Sequence, residues 1–184
     1  MPKLTQVKET KRGRYALFFD GEFAFSLDED TFAMAGLHTG DELEEWQIHD
    51  LQTKSDTRKA VDKAMDLLAL RDHAAGELYQ KLCRSFDPHS AAAAVAKMQE
   101  LNLLDDAGFA RRRAAELLRK RKSRRAILDD LHAKGIDRGT AAEAVEALFA
   151  QSEENEEENP ELANARALVE RHYAAKLADR KSVV

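Results

Sequence analysis

Residues 105–149 read DDAGFARRRAAELLRKRKSRRAILDDLHAKGIDRGTAAEAVEALF, and the preceding stretch is written to the same plan. Leu68, Leu78, Leu82, Val95 and Met98 recur about fifty residues later as Leu117, Ile127, Leu131, Val145 and Leu148, a period that marks stacked helical units unable to bury their apolar faces alone. Each copy spells three short helices. In the later copy Asp105-Asp106 caps the first, carrying Phe109, Ala110, Arg113 and Leu117, with a break near Ser123. The middle helix stops at Gly135, and Asp137 caps the last, with Ala141, Val145 and Leu148 inward.

The earlier copy follows suit. Val61, Ala64, Met65 and Leu68 form one helical stripe, and a second helix after Asp72-His73 bears Leu78, Tyr79 and Leu82. Asp87-Pro88 then opens a third helix with Val95 and Met98 inward, and Leu101, Leu103 and Leu104 close the unit. Downstream, Ser152 to Asn159 has nothing to bury and repels itself, which predicts a solvated linker. Asn159-Pro160-Glu161 signals a new helix with Leu162, Ala165, Val169 and Tyr173 at helical spacing, the first helix of a third unit cut short.

Upstream, Arg14 to Leu27 alternates around Asp20-Gly21, a dipeptide suited to a two-residue hairpin turn. That turn pairs Phe18 with Phe23 and Ala16 with Phe25 on one shared face, and Leu4 to Thr10 can add a third strand. Asp28 caps a short helix with Phe32 and Met34 that stops at Gly36; Thr39 and Glu42 have capping-box spacing, and Leu43 and Trp46 form a small second core. The polar stretch Leu51 to Asp56 reads as a boundary. The expected fold is mainly α: an N-terminal β-hairpin and short-helix module at 1–56, three-helix repeats at 57–104 and 105–150 forming an elongated curved array, an acidic linker at 151–160, and a truncated third repeat at 161–184.

With 184 residues the chain suffices for one or two small domains that bury roughly 70% of the unfolded surface. One cysteine, Cys83, excludes an internal disulfide framework, and no apolar run is long enough for a secretory signal or a membrane helix, so a cytoplasmic location is expected. Hydrophobic residues at 43% and charged residues at 34% suit a helical protein with wide polar faces. The net charge of −5 conceals segregation. From Arg111 to Arg125 nine cations face one acid, Glu116, while Glu153, Glu154, Glu156, Glu157 and Glu158 form an opposing run.

The basic run Arg111, Arg112, Arg113, Arg119, Lys120, Arg121, Lys122, Arg124 and Arg125 is the candidate binding site. A solvated helix normally intersperses acids four residues away, and only Glu116 is available within the run; contact with phosphates or an acidic protein surface therefore competes with a plain exposed face. No aromatics are interleaved, which argues against base stacking. Tyr79 and Phe86 read as core or rim packing. The six histidines, His38, His49, His73, His89, His132 and His172, show no ligand-spaced pair. No phosphate loop, nucleophile elbow or His–carboxylate constellation is present, so neither enzyme chemistry, a metal nor a cofactor is expected. The acidic run reads as a spacer, with DNA mimicry or restraint of the basic run as the alternative.

In this order the pieces resemble the RecX family of bacterial regulators of the RecA recombinase. The residues that carry the resemblance are the hairpin RYALFFDGEFAF from Arg14, AGLHTGDEL from Ala35, AMDLL from Ala64 with Arg71, ELYQKL from Glu77, LLDDAGFA from Leu103 and HAKGI from His132, over roughly residues 3 to 150. Two features depart from the family. The third unit is one helix after an acidic spacer, and Ala74 stands where the family carries a serine cap, so the second helix should start less firmly, by about 0.5–2 kcal/mol.

The resemblance implies a non-enzymatic, monomeric protein that lies along the RecA filament on single-stranded DNA and limits recombinase, ATPase and coprotease activity. Its processes are homologous recombination, DNA repair and the SOS response. Two further readings compete: a plain helical nucleic-acid binder, and a helical-repeat adaptor for an acidic protein.

Overall fold

The computed structural model describes residues 1–154, the last four by backbone alone, and 162–171. The protein is mainly helical with a small N-terminal antiparallel sheet. Its strands are β1 (Leu4–Glu9), β2 (Arg14–Phe19) and β3 (Glu22–Asp28), in the order β1-β2-β3. The helices are α1 (Glu29–Ala35), α2 (Glu45–Leu70), α3 (Ala75–Leu82), α4 (Pro88–Glu100), α5 (Asp106–Arg119), α6 (Arg124–Ala133), α7 (Arg138–Glu154) and α8 (162–171). Two compact units result, one of residues 1–71 with 78–103, the other of 72–77 with 104 onward.

In the first unit the Asp20-Gly21 turn forms as its dihedral demands require, with φ of 50° and 90°, and Phe18 faces Phe23. Beyond that pair a bulge intervenes, so Leu17 rather than Ala16 meets Phe25, and Ala16 meets Ser26. The extra residue, Ala24, moves Phe25 to the opposite face from Phe23. Leu4, Leu17, Phe19, Phe25 and Leu27 are therefore buried together with Leu43 and Leu51, while Phe23 is 59% exposed.

Asp28 caps α1 through the Thr31 amide, and Gly36 ends it at φ 59°. No helix starts behind Thr39. Glu44 and Gln47 make the capping box instead, and Trp46, expected in a core, stands 66% exposed.

The boundary expected near residue 56 lies inside α2, which runs unbroken from Glu45 to Leu70. Its polar middle is not a linker because Ser55 is fully buried against the sheet: its hydroxyl donates to the Ser26 carbonyl and accepts from Arg14 Nη2 at 3.0 Å. Arg14 Nη2 also reaches the Ser26 carbonyl at 2.8 Å. Further along, Ala60 and Ala64 face α4, where Ser90, Ala91 and Ala94 are buried; small side chains allow close helix approach. The seam thus falls one residue before Val61 and Met65, and Met65 is 43% exposed. Leu101 and Leu103, expected to close the unit, are also exposed.

The second unit buries Phe109, Ala114, Leu117, Ile127, Leu131, Ile136, Val145 and Phe149. Phe149 takes the inward position expected of Leu148, which packs partly buried beside it. Asp105, Ser123 and Asp137 accept amide hydrogen bonds from Gly108, Ala126 and Thr140 in the first turns of α5, α6 and α7. The Gly135 amide bonds the His132 carbonyl and the Ile136 amide that of Leu131, a two-bond helix stop that needs the φ of 80° found at Gly135. The acidic stretch departs from its expected linker form over Ser152–Glu154, where α7 continues. Residues 155–161, with Glu156 to Glu158 and the Asn159-Pro160-Glu161 helix start, lie outside the described residues, as do His172 and Tyr173.

Residues 72–77 join this unit through an unusually close backbone contact. A Cβ added to Gly76 would lie 2.6 Å from the Gly135 Cα, and the reverse substitution meets the same clash. Around it, buried Glu77 accepts from Lys134 Nζ at 2.8 Å and contacts His73 Nδ1 at 3.0 Å. Ala74, the residue without a cap hydroxyl, is fully buried in the core, and the Ala75 amide is taken by the Asp106 carboxylate at 2.8 Å. The start of α3 thus takes a side-chain acceptor from thirty-one residues beyond Ala75. Asp106→Ala should accordingly lower unfolding stability by about 1 kcal/mol, whereas Ala74→Ser should bring no gain; chemical denaturation of the two variants measures both.

Candidate functional site

The basic run occupies the C-terminal part of α5, the turn after it and the first turn of α6. Leu117 and Ile127 point into the core beneath, Leu118 packs partly buried against it, and Arg119, Lys120, Arg121, Lys122, Arg124 and Arg125 between and beside them lie exposed on the outside. The turn itself is tight. Arg121 donates its amide to Leu118 and Lys122 to Leu117, at 2.8 and 3.1 Å, the same two-bond stop as at Gly135. Arg121 fills the left-handed position at φ 58°.

Within the run the cations differ in their partners. Arg113 is half-buried and structural: Nε and Nη2 grip the two oxygens of Asp130 on α6 at 2.8 and 2.9 Å, while Nη1 holds Glu116 at 3.0 Å. This guanidinium holds the Asp130 carboxyl below its ordinary value of 3.8, and the same contact pushes Arg113 further up. Lys120 also pairs with Glu116, and these hydrogen bonds lower the Glu116 carboxyl. Arg112 meets Asp72 at 2.7 Å on the surface. Arg124 lies over the Phe149 ring, 4.7 Å from its centre. Glu116 is the only acid within the run, but it is not the only partner. Asp130 and Asp72 come from other segments, which same-helix spacing cannot foresee.

Arg111, Arg119, Arg121, Lys122 and Arg125 are exposed and have no ion pair among the described residues. Five exposed cations with no ion pair among the described residues, around one helix corner, make a surface whose electrostatics favour anions. Two more residues adjoin it that the sequence pattern did not single out: Asn164, whose Nδ2 lies 3.4 Å from the Lys122 carbonyl, and Arg171, both on α8. Only the start of a fresh helix was legible there. Among the described residues no group of His, Cys, Asp or Glu is arranged to hold a metal ion, and no helix is long and apolar enough to cross a membrane. Cys83 is a free, half-buried thiol.

All nine residues of the run fall inside the segment, 105–145, that matches the family description "RecX, second three-helix domain". The regulatory protein RecX of Lactobacillus gasseri is 31% identical over 180 residues, covering 97% of this chain and 65% of the relative. That of Caldanaerobacter subterraneus subsp. tengcongensis is 27% identical over 151 residues, covering 82% of this chain and 77% of the relative. The chain belongs to the RecX family. A crystal structure of regulatory protein RecX shares its fold, with a TM-score of 0.65, 21% identity and coverage of 97% of this chain and 85% of that one. The RecX relatives are named as regulatory proteins, not as enzymes.

This division of the run separates a structural arginine from exposed cations that carry little stability. Arg113→Ala should cost about 2 kcal/mol of stability, the scale of lost hydrogen bonds to a charged group, while Arg111→Ala should leave the unfolding midpoint within about 0.5 kcal/mol; urea unfolding checks both. The depressed Asp130 carboxyl gives the pH dependence its sign. Its contribution is complete above the unfolded value of 3.8 and is lost as pH falls through the lower folded value. The stability gap between the wild type and Asp130→Asn should therefore close as pH is lowered below about 4, measured by unfolding across an acid series.

Proposed function

We propose that this protein is a non-enzymatic regulator that binds the RecA–single-stranded DNA filament in the cytoplasm and limits its recombinase, ATPase and coprotease activities. Membership of the RecX family supports the partner, and the cationic α5–α6 corner supports the mode. The observation that carries the reading is the presence of Arg111, Arg119, Arg121, Lys122 and Arg125, exposed and without ion pairs among the described residues, inside the matched domain. Arg112, Lys120 and Arg124 add charge at its margins, and Arg113 holds the frame.

Such cations contact phosphates by charge and hydrogen bonding without reading bases. Among the described residues no exposed aromatic side chain stands beside them as a stacking platform, since Phe149 beneath Arg124 is buried. Because the target is polymeric, a monomer with two linked helical units gains affinity from effective concentration even where each contact is weak.

The experiment is RecA ATP hydrolysis and strand exchange on single-stranded DNA, with the protein added below the RecA concentration. Slowing is expected. Unchanged turnover at equimolar protein overturns the reading. A parallel salt titration compares naked DNA with filaments: equal affinity for both with a steep slope assigns the protein to plain nucleic-acid binding, and loss of binding to an acidic protein alone on neutralising Arg121, Lys122, Arg124 and Arg125 assigns it to an adaptor role.

A further inference from the structure

One cleft in the second unit has no carboxylate among the described residues that line it. It encloses about 250 Å³ and is bounded by Lys120, Arg121 and Lys122 from the α5–α6 turn and by Asn164, Leu168 and Arg171 from α8. Four cations converge there. Lys120 is paired with Glu116, but Arg121, Lys122 and Arg171 have no ion pair among the described residues. Like charges gathered around a concave surface repel one another, and an anion in the cleft relieves that repulsion.

Local choices at the turn point the same way. Among the described residues three helices end in the two-bond stop with a left-handed residue, and the other two place Asn102 and Gly135 at that position, the residue types that bear it best. Here an arginine holds it, at φ 58°. A left-handed backbone costs an ordinary residue conformational energy, so the arginine is not explained by folding. That arginine is one of the residues lining the cleft. On the opposite side, Asn164 bonds the Lys122 carbonyl and sets α8 against the turn.

We infer that this cleft is a phosphodiester site in which α8 supplies the second wall, so that Arg121 and Lys122 face Arg171 across one backbone phosphate of single-stranded DNA. Guanidinium groups present paired N–H donors matched to two phosphate oxygens, and Arg121 and Arg171 provide such forks from opposite sides. Ala167 and Leu168 offer an apolar wall to the sugar, with no donor pattern to discriminate bases. The inference rests on the reading that the basic corner meets nucleic acid, and adds α8, which lies beyond the matched 105–145 segment, to the binding surface.

The test uses the full chain and fluorescence anisotropy on a labelled oligo(dT) across a salt series, with the melting temperature of each variant recorded. Arg171→Gln should weaken binding and flatten the log K against log salt slope by about 0.7, the amount expected for one phosphate contact on a single strand. Arg121→Gly should do the same with an unchanged or raised melting temperature, because glycine suits the left-handed backbone; folding and binding then move in opposite directions. Arg138→Gln, outside the cleft, should leave the slope unchanged. If Arg171→Gln matches the wild type while Arg124→Ala with Arg125→Ala flattens the slope, the cleft is overturned and the nucleic-acid reading of the corner stands. If none of these variants changes the slope, both fall. Displacement of the oligonucleotide by inorganic phosphate at equal molar concentration would reassign the cleft to a free anion and overturn the phosphodiester assignment.

Discussion

One guanidinium, that of Arg113, joins the two helices that carry the basic surface. Apolar burial of Leu117, Ile127 and Leu131 brings α5 and α6 together, but burial is non-directional and leaves their register loose. The fork of Arg113 on both oxygens of Asp130 is directional, and its third nitrogen fastens Glu116 on the same side. Glu116 and Asp130 are thereby occupied in holding the corner. Arg119, Arg121, Lys122 and Arg125 are left exposed beside them, without an ion pair among the described residues.

A second constraint decides which residues share that frame. Gly76 and Gly135 approach so closely that neither tolerates a Cβ, and this contact draws residues 72–77 into the unit formed by α5, α6 and α7. The surrounding groups are arranged to satisfy it. Glu77 is buried, and an unpaired buried carboxylate is costly; Lys134 and His73 both reach it. Ala74 fills core volume where a hydroxyl would need a partner, and Asp106 accepts the Ala75 amide, another of the unpaired first-turn donors of α3. An acceptor from another helix converts a helix start into a tertiary contact.

Features that depend on adjacent residues were legible in the sequence. Asp28, Asp87, Asp105 and Asp137 accept first-turn amides as their positions imply, and Gly36, Gly135 and Asp20-Gly21 adopt the left-handed backbone their residue types favour. The six-helix grammar of the two copies also follows from periodicity. Features that depend on distant residues were not. The bulge at Ala24 turns Phe25 inward without any sign in the alternation, and Ser55 looks like linker until the Ser26 carbonyl and Arg14 are placed beside it. Arg113 is indistinguishable from its neighbours until Asp130 arrives from α6. At the site itself, charge density was readable and its partition into frame and surface was not.

The α5–α6 corner contains two departures from what stability alone favours, and their coincidence is informative. Arg121 occupies a left-handed position that suits glycine or asparagine, and Arg124 and Arg125 open α6 where the helix dipole favours acids and none is present. Compensation is partial: Arg124 gains the Phe149 ring, and Ser123 takes the Ala126 amide. Elsewhere in the same unit the rules are kept, with Asp105 and Asp137 at helix starts and Gly135 at a helix stop. The sequence follows local preference at three helix ends and departs from it twice within five residues, the kind of local conflict that marks a functional site rather than a folding requirement. Positive charge is what both departures add, and it is the property that the proposed phosphate site draws on.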